Sequence, residues 1–373
     1  MVLWILMLCA MGAGCLGCAF YLAAHIRRFS ALQKLEKKRS WLAGAALVAL
    51  PAALLTVLWG PLNMAVCLLH LALFWMLADL ASALIRRLRK KTFKRYWAGA
   101  AAIALSVAWL GAGWVQANHV WQKNYTIETD KPVGSLRVAL LADSHMGTTF
   151  HAGGFAAHLR AVHAQNPDIV VIAGDFVDES TSREDMIAAC RALGTLQTPH
   201  GVYYVFGNHD KNNYAGENRA YSAEELAAEL KKNGVAVLED ETALIDGRFY
   251  LIGRRDASDT LEHRSSRAAM AELTRDLDDE KFSIVLDHQP RDYAAQAETG
   301  VDLVLSGHTH GGQLIPLKQL MSIPGLSGDN NIYGRQTRGQ TDFIVTSGIS
   351  DWELLFKTGC RSEYVIIDIC GEE

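Results

Sequence analysis

Four apolar stretches crowd the first third of the chain: Val2 to Ala24, Trp41 to Trp59, Leu62 to Ile85 and Trp97 to Ala117. Each has about the length needed to cross roughly 30 Å of hydrocarbon, where backbone polar groups must be satisfied within the segment. Such stretches fold as helices, so the sequence predicts a four-helix transmembrane region over 1–118. Gly60-Pro61 parts the second stretch from the third with no charge between, as a tight turn requires. Basic clusters at 27–39 and 86–95 flank the opposite ends, and the positive-inside rule assigns both to the cytoplasm. The N-terminus and everything after 118 are then expected outside it. The first stretch has no basic segment ahead of its apolar run, so it reads as an uncleaved span rather than a signal peptide. His70 and Asp79 are the ionisable groups well inside a span. Nine residues apart, they point to opposite helix faces, and Asp79, one or two turns from the Arg86 cluster, is expected to reach toward that membrane interface.

Charge divides the chain at the same place. Residues 1–118 hold thirteen Lys or Arg and two acids, leaving 23 basic and 38 acidic residues in 119–373, a formal charge of −15. A surface that acidic argues against a nucleic-acid partner, which needs a positive one. The cysteines form no CxxC pattern of the zinc or redox kind. Cys360 and Cys370 flank one expected strand and stand too far apart to bridge each other.

From Val133 the pattern alternates apolar, strand-like runs with amphipathic helices. Strands are expected at 136–142, 168–173, 201–206, 235–239, 242–246, 248–253, 282–286, 301–305, 342–347 and 363–369. Helices are expected at 153–165, 183–197, from Ser222, at 265–277 and at 290–298. Ser222 and Glu225 form a capping box ahead of the third of these. Alternating β and α with apolar strands implies an α/β sheet covered by helices, and the late run of strands implies a second sheet packed on the first.

Acids, amides and imidazoles gather where those strands end. Asp143 and His145 follow the first, Asp175 and Asp178 the second, and Asn208, His209 and Asp210 the third. His288 ends another, and His308 and His310 close the series within Gly307-His308-Thr309-His310-Gly311-Gly312. Residues two apart in extended backbone point the same way, so His308 and His310 can aim both rings at one point. In an open α/β sheet the carboxyl ends of the strands form the rim where ligands bind. Singly, each residue fits an ordinary turn, cap or core position. Five loaded strand ends together do not.

In this ordered pattern the sequence resembles the calcineurin-like metallophosphoesterases, membrane-anchored bacterial branch. The matching series is Asp143-x-His145, Gly174-Asp175-x-x-Asp178, Gly207-Asn208-His209-Asp210, His288 and Gly307-His308-x-His310. The resemblance implies a double β-sandwich flanked by helices over 119–373 and a site for two divalent metal ions. Asp143, His145 and His310 would hold one ion, Asn208, His288 and His308 the other, and Asp175 would bridge them. Asp178 would orient a ligand, His209 would protonate the leaving group, and Asp210 would fix the His209 ring. Nitrogen and oxygen donors without thiolate suit Mn²⁺, Fe or Zn²⁺. Two such ions, about 3.5–4 Å apart, would polarise the phosphoryl group and turn a bridging water into the attacking hydroxide.

Two departures bear on substrate. Asp178 is followed by Glu179-Ser180, where the protein phosphatases of this superfamily usually carry arginine, and Asp210 stands where they tend to have Glu. A phosphoprotein is therefore disfavoured against a phosphodiester or pyrophosphate bond, in an envelope or lipid-linked substrate. Phe150 to Phe155, 211–221, 254–264 and 313–341 are expected to line the mouth, where Arg254, Arg255 and Arg335 either hold a second phosphate or, as is commoner, are surface arginines with no role. Two other readings compete. One is a pyrophosphohydrolase of the UDP-diacylglucosamine type from lipid A synthesis. The other is a membrane sensor or scaffold that binds metal without turnover.

Overall fold

A computed structural model describes residues 2–89, 96–211, 219–262, 266–323, 325 and 328–372. Residues 90–95 of the second basic cluster, and 212–218, 263–264 and Pro324 of the expected mouth, lie outside the described residues. The chain divides into two compact units, Met1–Trp114 with Glu353–Leu355, and Val115–Trp352 with Phe356–Glu373.

The first unit comprises α1 (Val2–Ile26), the short α2 (Ser30–Gln33), α3 (Lys37–Arg89) and most of α4 (Trp97–Asn118). Among the described residues three helices, α1, α3 and α4, are long and apolar enough to cross a membrane, against the four stretches expected. The difference lies in α3, a run of 53 residues whose Gly60 has non-helical angles, φ 82° and ψ 165°. Arg27 reaches the Ser40 hydroxyl at 3.2 Å while Arg28 reaches Asp79 at 3.1 Å. A straight helix would hold Ser40 and Asp79 roughly 58 Å apart, so α3 folds back at Gly60 and forms a hairpin. The Asp79 carboxylate takes hydrogen bonds from Tyr21 (3.3 Å), Tyr96 (2.9 Å) and Arg28 of the first basic cluster, at the end of α1.

The second unit is built on two six-stranded sheets. The first is ordered β1-β12-β2-β3-β4-β5, with β1 at Trp121–Glu128, β12 at Glu363–Cys370, β2 at Ser135–Leu141, β3 at Ile169–Ala173, β4 at Val202–Val205 and β5 at Val235–Val237. The second is ordered β10-β11-β9-β8-β7-β6, with β10 at Gly334–Arg338, β11 at Thr341–Val345, β9 at Leu303–Ser306, β8 at Phe282–Leu286, β7 at Phe249–Gly253 and β6 at Glu241–Ile245. Strands β2 to β5 run parallel, as do β7, β8, β9 and β11, which aligns their carboxyl ends. This is the α/β double sandwich expected.

Side-chain alternation builds the layers. Leu136, Val138 and Leu140 of β2 enter the core between the sheets, with Phe249, Leu251, Ile284, Leu305 and Val365. The alternate residues Ala139 and Leu141 pack on the outer face against helices α5 (Ala152–His163), α6 (Arg183–Leu193) and α7 (Ala223–Lys232). The Ser222 hydroxyl accepts from the Glu225 amide, so the expected cap on α7 forms. The helix expected at 265–277 is confined to Met270–Leu273. Both β1 and β10 were unexpected, and both are sheet edges.

Candidate metal centre

Every sequence-predicted site residue lies on the loops that leave the parallel strands, and the loops are short enough to converge. Five of these residues are held in the left-handed region without being glycine: Asp143 (φ 54°), His145 (35°), Asp175 (50°), His308 (72°) and His310 (48°). Such backbone costs of order 1–3 kcal/mol a residue and concentrates at functional sites. Here it turns each side chain inward as soon as its strand stops. Glycines make the remaining room. A Cβ on Gly307 would meet Asp143 Oδ2 at 2.6 Å, and one on Gly348 would meet the Asp143 Cβ at 2.7 Å. Gly307→Ala is therefore expected to halve the metal content of the purified chain, read by elemental analysis, because Asp143 is displaced.

Two clusters of metal-capable groups result. Asp143, His145 and His310 are buried, and their donor atoms lie within 4.8 Å of one another. Asp175, His288 and His308 form the second cluster to the same limit. Asp175 stands between them, with Oδ2 3.0 Å from His288 Nε2 and 3.7 Å from His145 Nε2. The Asn208 carbonyl oxygen lies 3.1 Å from the same His288 nitrogen.

These residues fit a pair of cations, and the unmet hydrogen-bonding capacity says so. His288 Nδ1 lies 2.7 Å from the Ala173 carbonyl, an acceptor only, so Nδ1 carries a proton and Nε2 is the nitrogen turned to the cluster. A ring fixed this way is how ligating histidines are usually held. His288 Nε2 and the Asp175 and Asn208 oxygens then face each other and need a positive charge, a proton or a cation, among them. The pKa of His288 says the same: burial pulls it down, yet Asp175, Asp143 and Asp256 outweigh burial and hold it well up. In the other cluster Asp143 Oδ2, His145 Nε2 and His310 Nδ1 are buried without hydrogen-bond partners. Buried polar atoms are seldom left so. Burial pushes Asp143 up to about 6, and burial with the nearby His288 charge takes His308 down to about 3, a state in which its ring is a neutral donor. His145 Nδ1 lies 3.2 Å from Asp178 Oδ2, close enough for the acid to orient the ring, though without hydrogen-bond geometry.

One expectation is corrected. Asp210 does not touch the His209 ring. Its carboxylate turns back under the β4 loop and accepts backbone N–H groups from Asp175 (2.8 Å), Phe176 (2.9 Å), Val177 (3.0 Å) and Gly207 (2.8 Å). The group beside His209 Nδ1 is Glu179, at 3.1 Å. Nor do the three arginines stand ready for a second phosphate. Arg254 pairs with Asp287 and Asp292, Arg255 lies against Glu239 and Asp240, and Arg335 pairs with Asp342.

Four further residues belong to the site. Asp351 lies 3.6 Å from His310 Nδ1, and burial pushes its pKa up to about 6. Trp352 lies tilted against the His209 ring, Glu179 meets the His209 ring nitrogen, and buried Lys357 holds the carbonyls of Ser347 and Ser350. Glu179 was visible in the sequence as a departure from the motif. The other three follow β11, a sixth strand end to which the same reasoning applies.

Residues 136–312 match the family model described as calcineurin-like phosphoesterase. An uncharacterized metallophosphoesterase of Campylobacter jejuni is 29% identical over 312 residues, 82% of this chain and 79% of the relative. One from Aquifex aeolicus is 35% identical over 196 residues, 52% of this chain and 70% of the relative. A transmembrane protein with metallophosphoesterase domain from Bos taurus is 30% identical over 242 residues, 62% of this chain and 52% of the relative.

Proposed function

The chain belongs to the calcineurin-like metallophosphoesterases, and on that premise we propose that it is a membrane-anchored hydrolase of phosphodiester or pyrophosphate bonds in an envelope or lipid-linked substrate. In this reading 1–118 anchor a catalytic domain spanning 119–373, and the basic loops put that domain on the extracytoplasmic side. The observation that carries the enzymatic part is the pair of buried donor clusters sharing Asp175.

Asp143, His145 and His310 would hold one divalent ion, Asn208, His288 and His308 the other, with Asp175 common to both. Two such ions supply Lewis-acid polarisation of the phosphoryl oxygens and lower the pKa of water. The protein's own groups do the rest. Asp178 orients His145, and the Ala173 carbonyl orients His288. The backbone amide of His209 donates to Asp175 Oδ1 at 2.9 Å, which fixes the shared carboxylate and places the imidazole beside the reacting centre. His209, protonated, then stabilises charge on the leaving oxygen and passes it a proton from Nε2. Water thereby bonds to phosphorus, the leaving P–O bond breaks toward oxygen, and an alcohol or second phosphate departs neutralised.

Support for a lipid-linked substrate comes from the segment after His310. Ile315, Leu317, Leu320 and Ile323 are 39–51% exposed, and outside the apolar helices only Leu35 and Leu244 match them among the described residues. Burying one such side chain is worth roughly 1.5–3 kcal/mol, enough for four of them to hold an acyl chain or a bilayer surface.

The test is kinetic. The full chain, stripped with chelator, is expected to lose turnover of bis(4-nitrophenyl) phosphate and regain it with two equivalents of Mn²⁺, Fe²⁺ or Zn²⁺. Leu320→Glu with Ile323→Glu is expected to lower hydrolysis of a vesicle-embedded phospholipid about tenfold while sparing bis(4-nitrophenyl) phosphate. Two bound ions without turnover of any phosphoester would instead make the protein a sensor. Faster hydrolysis of 4-nitrophenyl phosphate than of the diester would overturn the bond preference.

A further inference from the structure

Glu179 has a divided carboxylate. Oε2 lies 3.1 Å from His209 Nδ1, and Oε1 lies 3.3 Å from the indole Nε1 of Trp352. The Trp352 ring in turn lies tilted against the His209 ring, with centroids 5.2 Å apart and planes at 44°. His209 is thus gripped on an edge by Glu179 and on a face by Trp352, and the two grips are tied to each other. The loop that presents Trp352 is itself pinned. Its carbonyl accepts from Gln313 Nε2 at 3.1 Å, and its amide donates to Asp351 Oδ1 at 3.0 Å. Buried Lys357 donates to the Ser347 and Ser350 carbonyls at 2.6 and 2.7 Å.

Among the described residues, the two neighbouring motif acids are engaged elsewhere. Asp210 is saturated by four backbone amides. Asp178 faces His145 and takes hydrogen bonds from the Ser180 amide and hydroxyl. From this geometry we propose that Glu179 and Trp352 are the positioning pair for His209. They fix its ring with the proton on Nδ1 engaged, so that Nε2 delivers the proton to the leaving oxygen. The inference rests on the phosphoesterase reading above, and it adds the residues that make His209 an aimed acid. Indole N–H and imidazole Nδ1–H are both donors, so only a group with two acceptor oxygens satisfies both. Glutamine cannot: one of its two contacts must set a donor against a donor.

The consequence is a dependence on leaving group. A nitrophenolate departs without a proton, whereas an aliphatic alkoxide needs one. In the full, metal-loaded chain, Glu179→Gln is expected to cut kcat roughly 10- to 100-fold on a diester with an aliphatic leaving group. Turnover of bis(4-nitrophenyl) phosphate should fall less than threefold, with KM and two bound ions unchanged. Trp352→Phe keeps an aromatic ring and deletes the donor, so it should show the same split at smaller size, and Glu179→Asp should recover part of the loss. Equal losses on both substrates, or loss of metal in both variants, would make the pair structural and overturn the proposal. A wild-type chain that turns over no phosphoester would instead sink the underlying reading, and this proposal with it.

Discussion

Asp175→Asn is expected to leave the chain with at most one bound ion and to lower turnover on the order of 10³-fold. The substitution keeps the shape of the side chain, so the effect isolates charge and donor count. Asp175 Oδ1 accepts the His209 amide at 2.9 Å, while Oδ2 faces His288 Nε2 at 3.0 Å and His145 Nε2 at 3.7 Å. An amide has a single acceptor oxygen. Turned one way, its NH₂ opposes the His209 N–H. Turned the other, it aims two donors at the place where both clusters need an anion. Either orientation removes the one negative charge the clusters share. Lewis-acid stabilisation by a bound ion is worth several kcal/mol, and about 4 kcal/mol is a factor of roughly 10³ in rate. Elemental analysis of the purified variant beside its rate on bis(4-nitrophenyl) phosphate decides the matter. Two ions still bound at wild-type rate would mean that Asp175 is not shared.

Much of this was legible because the chain obeys simple periodicities at the places that matter. Strands β2, β3, β8 and β9 are predominantly apolar runs ended by glycine or an acid, and the sequence marks where each stops to within about two residues. Where each strand stops, a candidate ligand begins. What stayed hidden had no such signature. Strand β1 carries Gln122, Lys123 and Asn124 on an edge, and β10 reads Gly-Arg-Gln-Thr-Arg. Edge strands of this kind are held by backbone pairing to one neighbour, so they need no apolar face and leave no pattern. The α3 hairpin shows the reverse case. The sequence marks the break at Gly60-Pro61, and the backbone departs from helix at one residue only, so a break in hydropathy becomes a fold-back inside a single helical run. The ring-fixing role of Asp210 is implied by the resemblance alone, which carries no signal for where this carboxylate points. A residue next along a tight turn points its side chain elsewhere, and this one points at amides.

Asp210 is for that reason expected to show its importance in stability before catalysis. Its buried carboxylate terminates four N–H groups, from Asp175, Phe176, Val177 and Gly207, at 2.8–3.0 Å. Each buried donor left unsatisfied costs about 1–3 kcal/mol. Four of them approach the roughly 5–15 kcal/mol that holds an ordinary domain together. The amides also belong to the two loops that carry Asp175 and Asn208, so their release would scatter both clusters at once. Asp210→Ala is expected to unfold at a much lower temperature, or to fail to accumulate, and to bind no stoichiometric metal. Asp210→Asn, which keeps one acceptor oxygen, should fall between. The contrast is His209→Ala, whose ring lies outside this backbone network: it should retain two ions and a near wild-type thermal midpoint while kcat falls roughly 10²- to 10⁴-fold. Thermal unfolding and metal content measured on all three chains separate the roles. If Asp210→Ala melted with the wild type and lost only kcat, the carboxylate would be an orienting group for His209 after all, and Glu179 would have a rival.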